Sequence, residues 1–183
     1  PYTYVEASVT IDGVTYPKVG IRKKGFIGSQ DTNRPSLKIK LDHYIKGESI
    51  DGLDNLTFNN NKQDATLMNQ FLSYDLFDRA GAPGSRCGYA RITVNGKNLG
   101  VYCHVESVRK QLLQREFGNS KGTLYEGTVV DFYEDWEGSF DRKTGKKKKG
   151  LEAINKVIDV MIGAEGTRCR CALVVEPARR SAG

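Results

Sequence analysis

The side chains of this 183-residue chain that could do chemistry fall in four short stretches. In "GIRKKGFIGSQ", Gly20, Gly25 and Gly28 surround Arg22, Lys23 and Lys24. Glycines let a backbone turn sharply and present N–H groups, and the cations offset negative charge, so the stretch suits an anion. A surface hairpin with basic residues fits the same letters. Lys38 stands in the middle of "SLKIKLD", on the side opposite Leu37, Ile39 and Leu41. If that side lines a cleft, its ammonium reaches a phosphate oxygen as a point charge. If it faces water, the lysines of the strand are simply solvated. In "LTFNNNKQD", Asn59, Asn60 and Asn61 offer donors and acceptors together, either to organise a loop or to contact a ligand. The fourth stretch, "GVYCHVE", closes an alternating run on Glu106, a carboxylate that needs solvent or a partner in a cleft. Lys38 is a candidate for that partner.

Other chemistries find no support. The glycine stretch has neither the spacing nor the following helix of a Walker loop or a dinucleotide fingerprint. His43 and His104 are far apart and suggest no triad, and no nucleophile elbow occurs. Cys169 and Cys171 lack a second ligand pair at metal-site spacing, so no zinc is assigned. Cys87 and Cys103 flank a predicted hairpin, where a cross-strand disulfide and two ordinary buried thiols are both open.

The elements that must carry these residues are mostly strands. Val5, Ala7, Val9 and Ile11 alternate with polar residues up to Asp12-Gly13, a tight-turn pair, and a second strand follows over 14–24. A Gly-, Ser- and Asn-rich loop closes on Pro35, and "SLKIKLD" and "DNLTFNN" read as strands. From Asp64 the period changes to that of a helix, with Leu67, Met68, Phe71, Leu72, Tyr74 and Phe77 on one stripe. Asp64 is its expected N-cap, Gly81 its stop, and Pro83 lies just beyond. Asn95-Gly96 separates two alternating runs, a strong hairpin signal. "SVRKQLLQREFG" reads as a helix ending at Gly118, and "GTLYEG" as a short strand. "DFYEDWEGSFD" and "RKTGKKKKG" read as an excursion, and "LEAINKVIDVMIG" as an amphipathic helix with Leu151, Ile154, Val157, Ile158 and Met161 as its apolar set.

The composition is that of an ordinary globular chain, with 38% hydrophobic and 27% charged residues. No apolar run approaches the length that crosses a bilayer. The first residues carry no starting methionine and no leader pattern, as in an excised piece. A net charge of +6 and a pI near 9.1 hint at an anionic partner, although much of the excess sits in the run "KTGKKKKG", which also fits a solvated loop.

The order of blocks "VGIRKKG", "RPSLKIKLD", "IDGLDNLTFNNNKQDATLMNQFLSYDLFDRAGAP", "YARITVNGKNLGVYCHVESV" and "FGNSKGTLYEG" resembles the CotH kinase family, named for a bacterial spore-coat protein. The resemblance runs from about Gly13 to Gly127. It implies an atypical protein kinase with two lobes, ATP and a divalent metal (Mg or Mn) between them, and serine or threonine of a partner protein as acceptor. Coat, surface and secreted settings are common in such a family. Carried over by position, Lys38 is the strand lysine that meets phosphate, Arg22 lies on the nucleotide-facing hairpin, and Glu106 sits at the cleft, pairing with a cation or with the nucleotide. Asn69 stands where the family often has arginine.

Metal-binding aspartates are expected in the second half of such a domain. Asp131, Asp135, Asp141 and Asp159 occur there, but in no matching motif, so no metal ligand and no catalytic residue is assigned. The expectation is therefore an α+β fold: an antiparallel sheet of hairpin-linked strands with one main packed helix, like a kinase N-lobe. Residues 1–127 form the nucleotide-binding lobe, 128–162 an acidic and basic excursion with the start of a second lobe, and 163–183 an arginine-rich tail outside the fold. A non-enzymatic surface, coat or adhesion module on the same scaffold is the alternative. A carbohydrate- or nucleic-acid-binding module, drawn from the charge and the aromatics near Trp136, ranks below both, and nucleic acid is not an expected partner.

Overall fold

Period-two alternation builds the main sheet, as the sequence predicts. In the computed structural model, which describes residues 3–26, 29–128, 130–145 and 150–163, the strands are β1 (Val5–Ile11), β2 (Val14–Lys24), β3 (Ser36–Lys40), β4 (Asn55–Asn59), β5 (Cys87–Val94) and β6 (Lys97–Glu106). They form one six-stranded sheet in the order β1-β2-β3-β4-β6-β5, with every neighbouring pair antiparallel. Two hairpin turns set its registers. Asp12-Gly13 and Asn95-Gly96 all have positive φ, the geometry whose twist matches flanking strands. With α1 (Asn69–Arg79) and α2 (Lys110–Phe117) added, the fold is α+β.

One face of the sheet is the core. Leu37, Ile39, Leu56, Phe58, Tyr102 and Val19 project from it, with Leu41 beneath the turn that follows β3, and all are buried. Each fully buried aliphatic side chain contributes roughly 1.5–3 kcal/mol by leaving water. Arg34 ties the loop before β3 to this core. Its guanidinium lies 4.7 Å from the Tyr102 ring centroid and donates to the carbonyls of Leu99 at 2.8 Å, Asn60 at 2.6 Å, and Val101.

The main helix departs from expectation at its start and not at its end. It begins at Asn69, not after Asp64, because Leu67 takes φ +60 and breaks the helical path. Asp64 still serves the first turn from a distance: one carboxylate oxygen accepts the Asn69 N–H at 2.8 Å, and the other accepts the Thr66 N–H and hydroxyl. At the far end Gly81, at φ +66, donates to the Asp78 carbonyl while Ala82 donates to that of Phe77, a Schellman closure. The apolar stripe meets the sheet only in part. Phe71 stacks on Tyr89 at 5.5 Å, but no residue of α1 is buried, and Met68, Leu72 and Leu76 are about half exposed or more.

The chain divides into two compact units, the first ending at Glu116 and the second beginning at Phe117. In the second, β7 (Leu124–Gly127) pairs antiparallel with β8 (Phe140–Thr144). The stretch read as an excursion therefore holds a strand, whose exposed, charged residues carry no alternation to announce it. Helix α3 (Gly150–Gly163) buries Ile154 and Ile158 from its expected apolar set and leaves Leu151 and Met161 exposed. The expected tail lies outside the described residues beyond Gly163.

Candidate functional site

Across β2, β3 and β4 the face of the sheet opposite the core is polar, and strand register gathers its cations. Arg22 on β2 lies directly across from Lys38 on β3, and Lys38 directly across from Thr57 on β4. Residues directly opposite in a ladder project from the same face, so two of the sequence-predicted site residues are neighbours. Two residues further along β2, Lys24 emerges on that face too, opposite Ser36.

Lys24 is where the face opens. A cleft of about 330 Å³ is lined by Lys24, Ser29, Ser36, Asn59–Asn61, Lys62, Gln63, Asp64, Asn69 and Gln70. A second hollow of about 440 Å³ shares Lys24 and Ser29 with it and adds Arg22, Gly25 and Phe26. The half-buried Lys24 ammonium donates to Asn59 Oδ1 at 2.7 Å, and Asn59 Nδ2 donates to Gln70 Oε1 at 2.9 Å. Burial, and then the charge of Arg22, push its pKa down from the ordinary lysine value. Among the described residues no carboxylate forms an ion pair with it. A cation held in a cleft by amides and crowded by a second cation gains from any anion that enters.

The three asparagines divide their work. Asn59 faces the cleft. Asn60 is 2% exposed and holds the walls together: its N–H donates to Ser36 Oγ, and its Nδ2 donates to the carbonyls of Ser29 and Arg34. Asn61 takes φ +50 and turns the chain toward α1. Gln70, delivered by the first turn of α1, was invisible in the sequence. Lys24 was visible only as one of three cations, and the mark that separates it from Lys23 is its parity with Arg22 along β2.

Glu106 is placed elsewhere. It pairs in register with Leu56, which puts it on the core face, whereas Lys38 and Thr57 occupy the other. Its side chain is 6% exposed and its Oε2 accepts from the Arg115 guanidinium of α2 and from the Arg86 N–H at 3.1 Å. Arg115 also reaches Glu116 and the Gly84 carbonyl. The structure thus brings Arg22 and Lys38 together and gives Glu106 a cation of its own.

A divalent cation does not fit the described residues. Such ions take about six oxygen ligands, several of them carboxylates or waters. Asp64 is the one carboxylate among the cleft residues, and both of its oxygens are engaged. Its hydrogen bond from the Thr66 hydroxyl, with backbone N–H groups in support, holds it below the ordinary aspartate range. Among the described residues no three His, Cys, Asp or Glu side chains gather as a ligand set. Asp131, Asp135, Asp141 and Asp159 are all exposed. Nor is any helix among those residues long and apolar enough to cross a membrane.

No curated protein matches the chain. The family model described as CotH kinase protein matches residues 21–162, from the middle of β2 to the end of α3. That span takes in the greater part of both units and most of the 183 residues, and the chain belongs to the CotH kinase family.

Proposed function

We propose that the first unit is the kinase-like, nucleotide-binding lobe of an ATP-dependent protein kinase that phosphorylates serine or threonine on a coat or surface protein. The observation that carries this reading is Lys24: a half-buried ammonium, paired with an amide alone among the described residues, at the mouth of a cleft one row from Arg22 and Lys38. Phosphoryl transfer is largely a matter of positioning and charge stabilisation. Lys24, Lys38 and Arg22 supply three cations on one face to hold the phosphates. Asn59 and Gln70 fix the direction of the Lys24 ammonium. A magnesium or manganese ion, when bound, would supply charge neutralisation to the phosphates, and none of the described residues is assigned to it. Glu106 acts at one remove in this reading, anchoring α2 and the end of β6 through Arg115.

The test is calorimetric titration of the chain with ATP. Lys24→Ala and Lys38→Ala are each expected to weaken binding about tenfold or more, the equivalent of one charge-assisted contact. Unchanged affinity in folded variants would remove the cationic face from the site. A second reading, a non-enzymatic surface module, draws on the exposed Met68 just before α1 and Leu72 and Leu76 on it. Failure of the unmodified chain to bind ATP would favour it.

A further inference from the structure

Cys87 and Cys103 have no part in the nucleotide reading, yet their sulfur atoms are 2.9 Å apart. Both are free thiols in the structure. Register explains the approach. Cys87 on β5 lies opposite Val105, and Cys103 on β6 lies opposite Tyr89, so the two cysteines are diagonal neighbours on one face. The twist between neighbouring strands brings one diagonal closer than the other. A disulfide bond is about 2.05 Å long, so the sulfurs need close by only about 0.9 Å.

We propose that Cys87 and Cys103 are a disulfide site, oxidised by exchange with a small disulfide such as glutathione disulfide. Cys87 is half-buried and Cys103 is 1% exposed, which fixes the order of events. The Cys87 thiolate attacks one sulfur of glutathione disulfide, forming a mixed disulfide and releasing one glutathione thiolate. Cys103 then loses its proton and attacks the Cys87 sulfur, releasing the second glutathione. Two protein thiols become one disulfide, and one glutathione disulfide becomes two thiols. Burial, and then the Cys87 thiol beside it, push the Cys103 thiol up to about 12. The second step is therefore slow at neutral pH and speeds up as pH rises, while the short separation favours it over attack by a second outside thiol.

The bond would staple the edge hairpin beside the cleft. Cys103 lies opposite Asn59 in the ladder. Tyr89, the residue opposite Cys103, donates to the Leu67 carbonyl at 2.8 Å and stacks on Phe71 of α1. Oxidation thus ties the strand that supports α1 to the strand beside the cleft wall.

The experiment uses the whole chain with Cys169→Ser and Cys171→Ser, equilibrated with glutathione disulfide, quenched by alkylation and mapped by mass spectrometry. A peptide linked through Cys87 and Cys103 is expected, with a melting temperature raised by about 5–10 °C for a loop of roughly fifteen residues and restored by dithiothreitol. Neither Cys87→Ser nor Cys103→Ser should show the rise. Full alkylation of both thiols would overturn the proposal, and so would a glutathione adduct that persists on Cys87 without a bridge. Neither result depends on whether the chain binds ATP.

Discussion

Strand β3 serves two faces of one sheet, and the two are finished differently. Leu37 and Ile39 enter a core whose buried members are Val19, Leu41, Leu56, Phe58 and Tyr102. Lys38 and, across from it, Arg22 enter a face that is only partly covered, with α1 lying over one side and a cleft left at Lys24. Alternation alone separates the two sets. What makes one a core and the other a candidate site is what packs on top. The apolar face is closed by its own strands and the turn after β3, while the polar face keeps Lys24, which forms no ion pair with a carboxylate among the described residues. Charge without local compensation is costly to a fold, and its presence on a well-built sheet points to a ligand.

The sharpest contrast is between Leu41 and Lys24. Leu41 is fully buried, so Leu41→Ala is expected to cost about 2–5 kcal/mol of stability, read from urea unfolding. Lys24→Ala should change stability by less than about 1 kcal/mol, because the lost amide contact is offset by relief of a half-buried charge beside Arg22. Its effect belongs in ATP affinity. If Lys24→Ala unfolds the chain as Leu41→Ala does, the polar face is structural and the division between the faces fails.

Glu106 tests the division from the other side, as the one buried carboxylate among the described residues. Glu106→Gln keeps an acceptor for the Arg86 N–H but leaves Arg115 without its buried counter-charge. A loss of about 1–3 kcal/mol is expected, with ATP affinity unchanged. A drop in affinity at unchanged stability would move Glu106 into the ligand site.

How much of this was legible depended on how local the cause was. The turns at Asp12-Gly13 and Asn95-Gly96 are local, and they delivered both hairpins. Gly81 is local, and it ended α1. The start of α1 was missed because Asp64 reaches Asn69 across a turn that Leu67 makes left-handed, which no helical period reveals. Strand β8 was missed because an exposed strand need not alternate, and its partner is more than ten residues away. For the site, the parity of Arg22 and Lys38 along their strands was readable. Which face Glu106 takes was not, because one residue of register decides it. The meeting of Lys24, Asn59 and Gln70 needs three elements at once, and only the fold supplies that.

The smallest expected effect is a pH dependence carried by His104. It projects from the same face as Leu56 and Phe58, with its ring 5.2 Å from that of Phe58, and its buried Nε2 has no hydrogen-bond partner among the described residues. Burial pushes its pKa below the ordinary 6.5, and the nearby charge of Glu106 opposes that shift only in part. The sign follows from where protons bind. Well above about pH 6.5 the imidazole is neutral in both folded and unfolded chains and contributes no slope. As pH falls through that value, the unfolded chain takes up a proton that the folded chain refuses, so stability declines. The decline stops once pH passes the depressed folded value. Asp31 and Asp64 act in a lower window, because their folded values lie below 3.8 and their stabilisation is lost only as pH falls further. His104→Phe keeps a ring against Phe58 and removes the titrating group. Urea midpoints measured from about pH 8 down to about pH 4.5 should show a shallow fall in the parent chain and a flatter line in the variant. Parallel lines would mean that His104 is as easily protonated in the fold as outside it, and that this part of the apolar face is open to water.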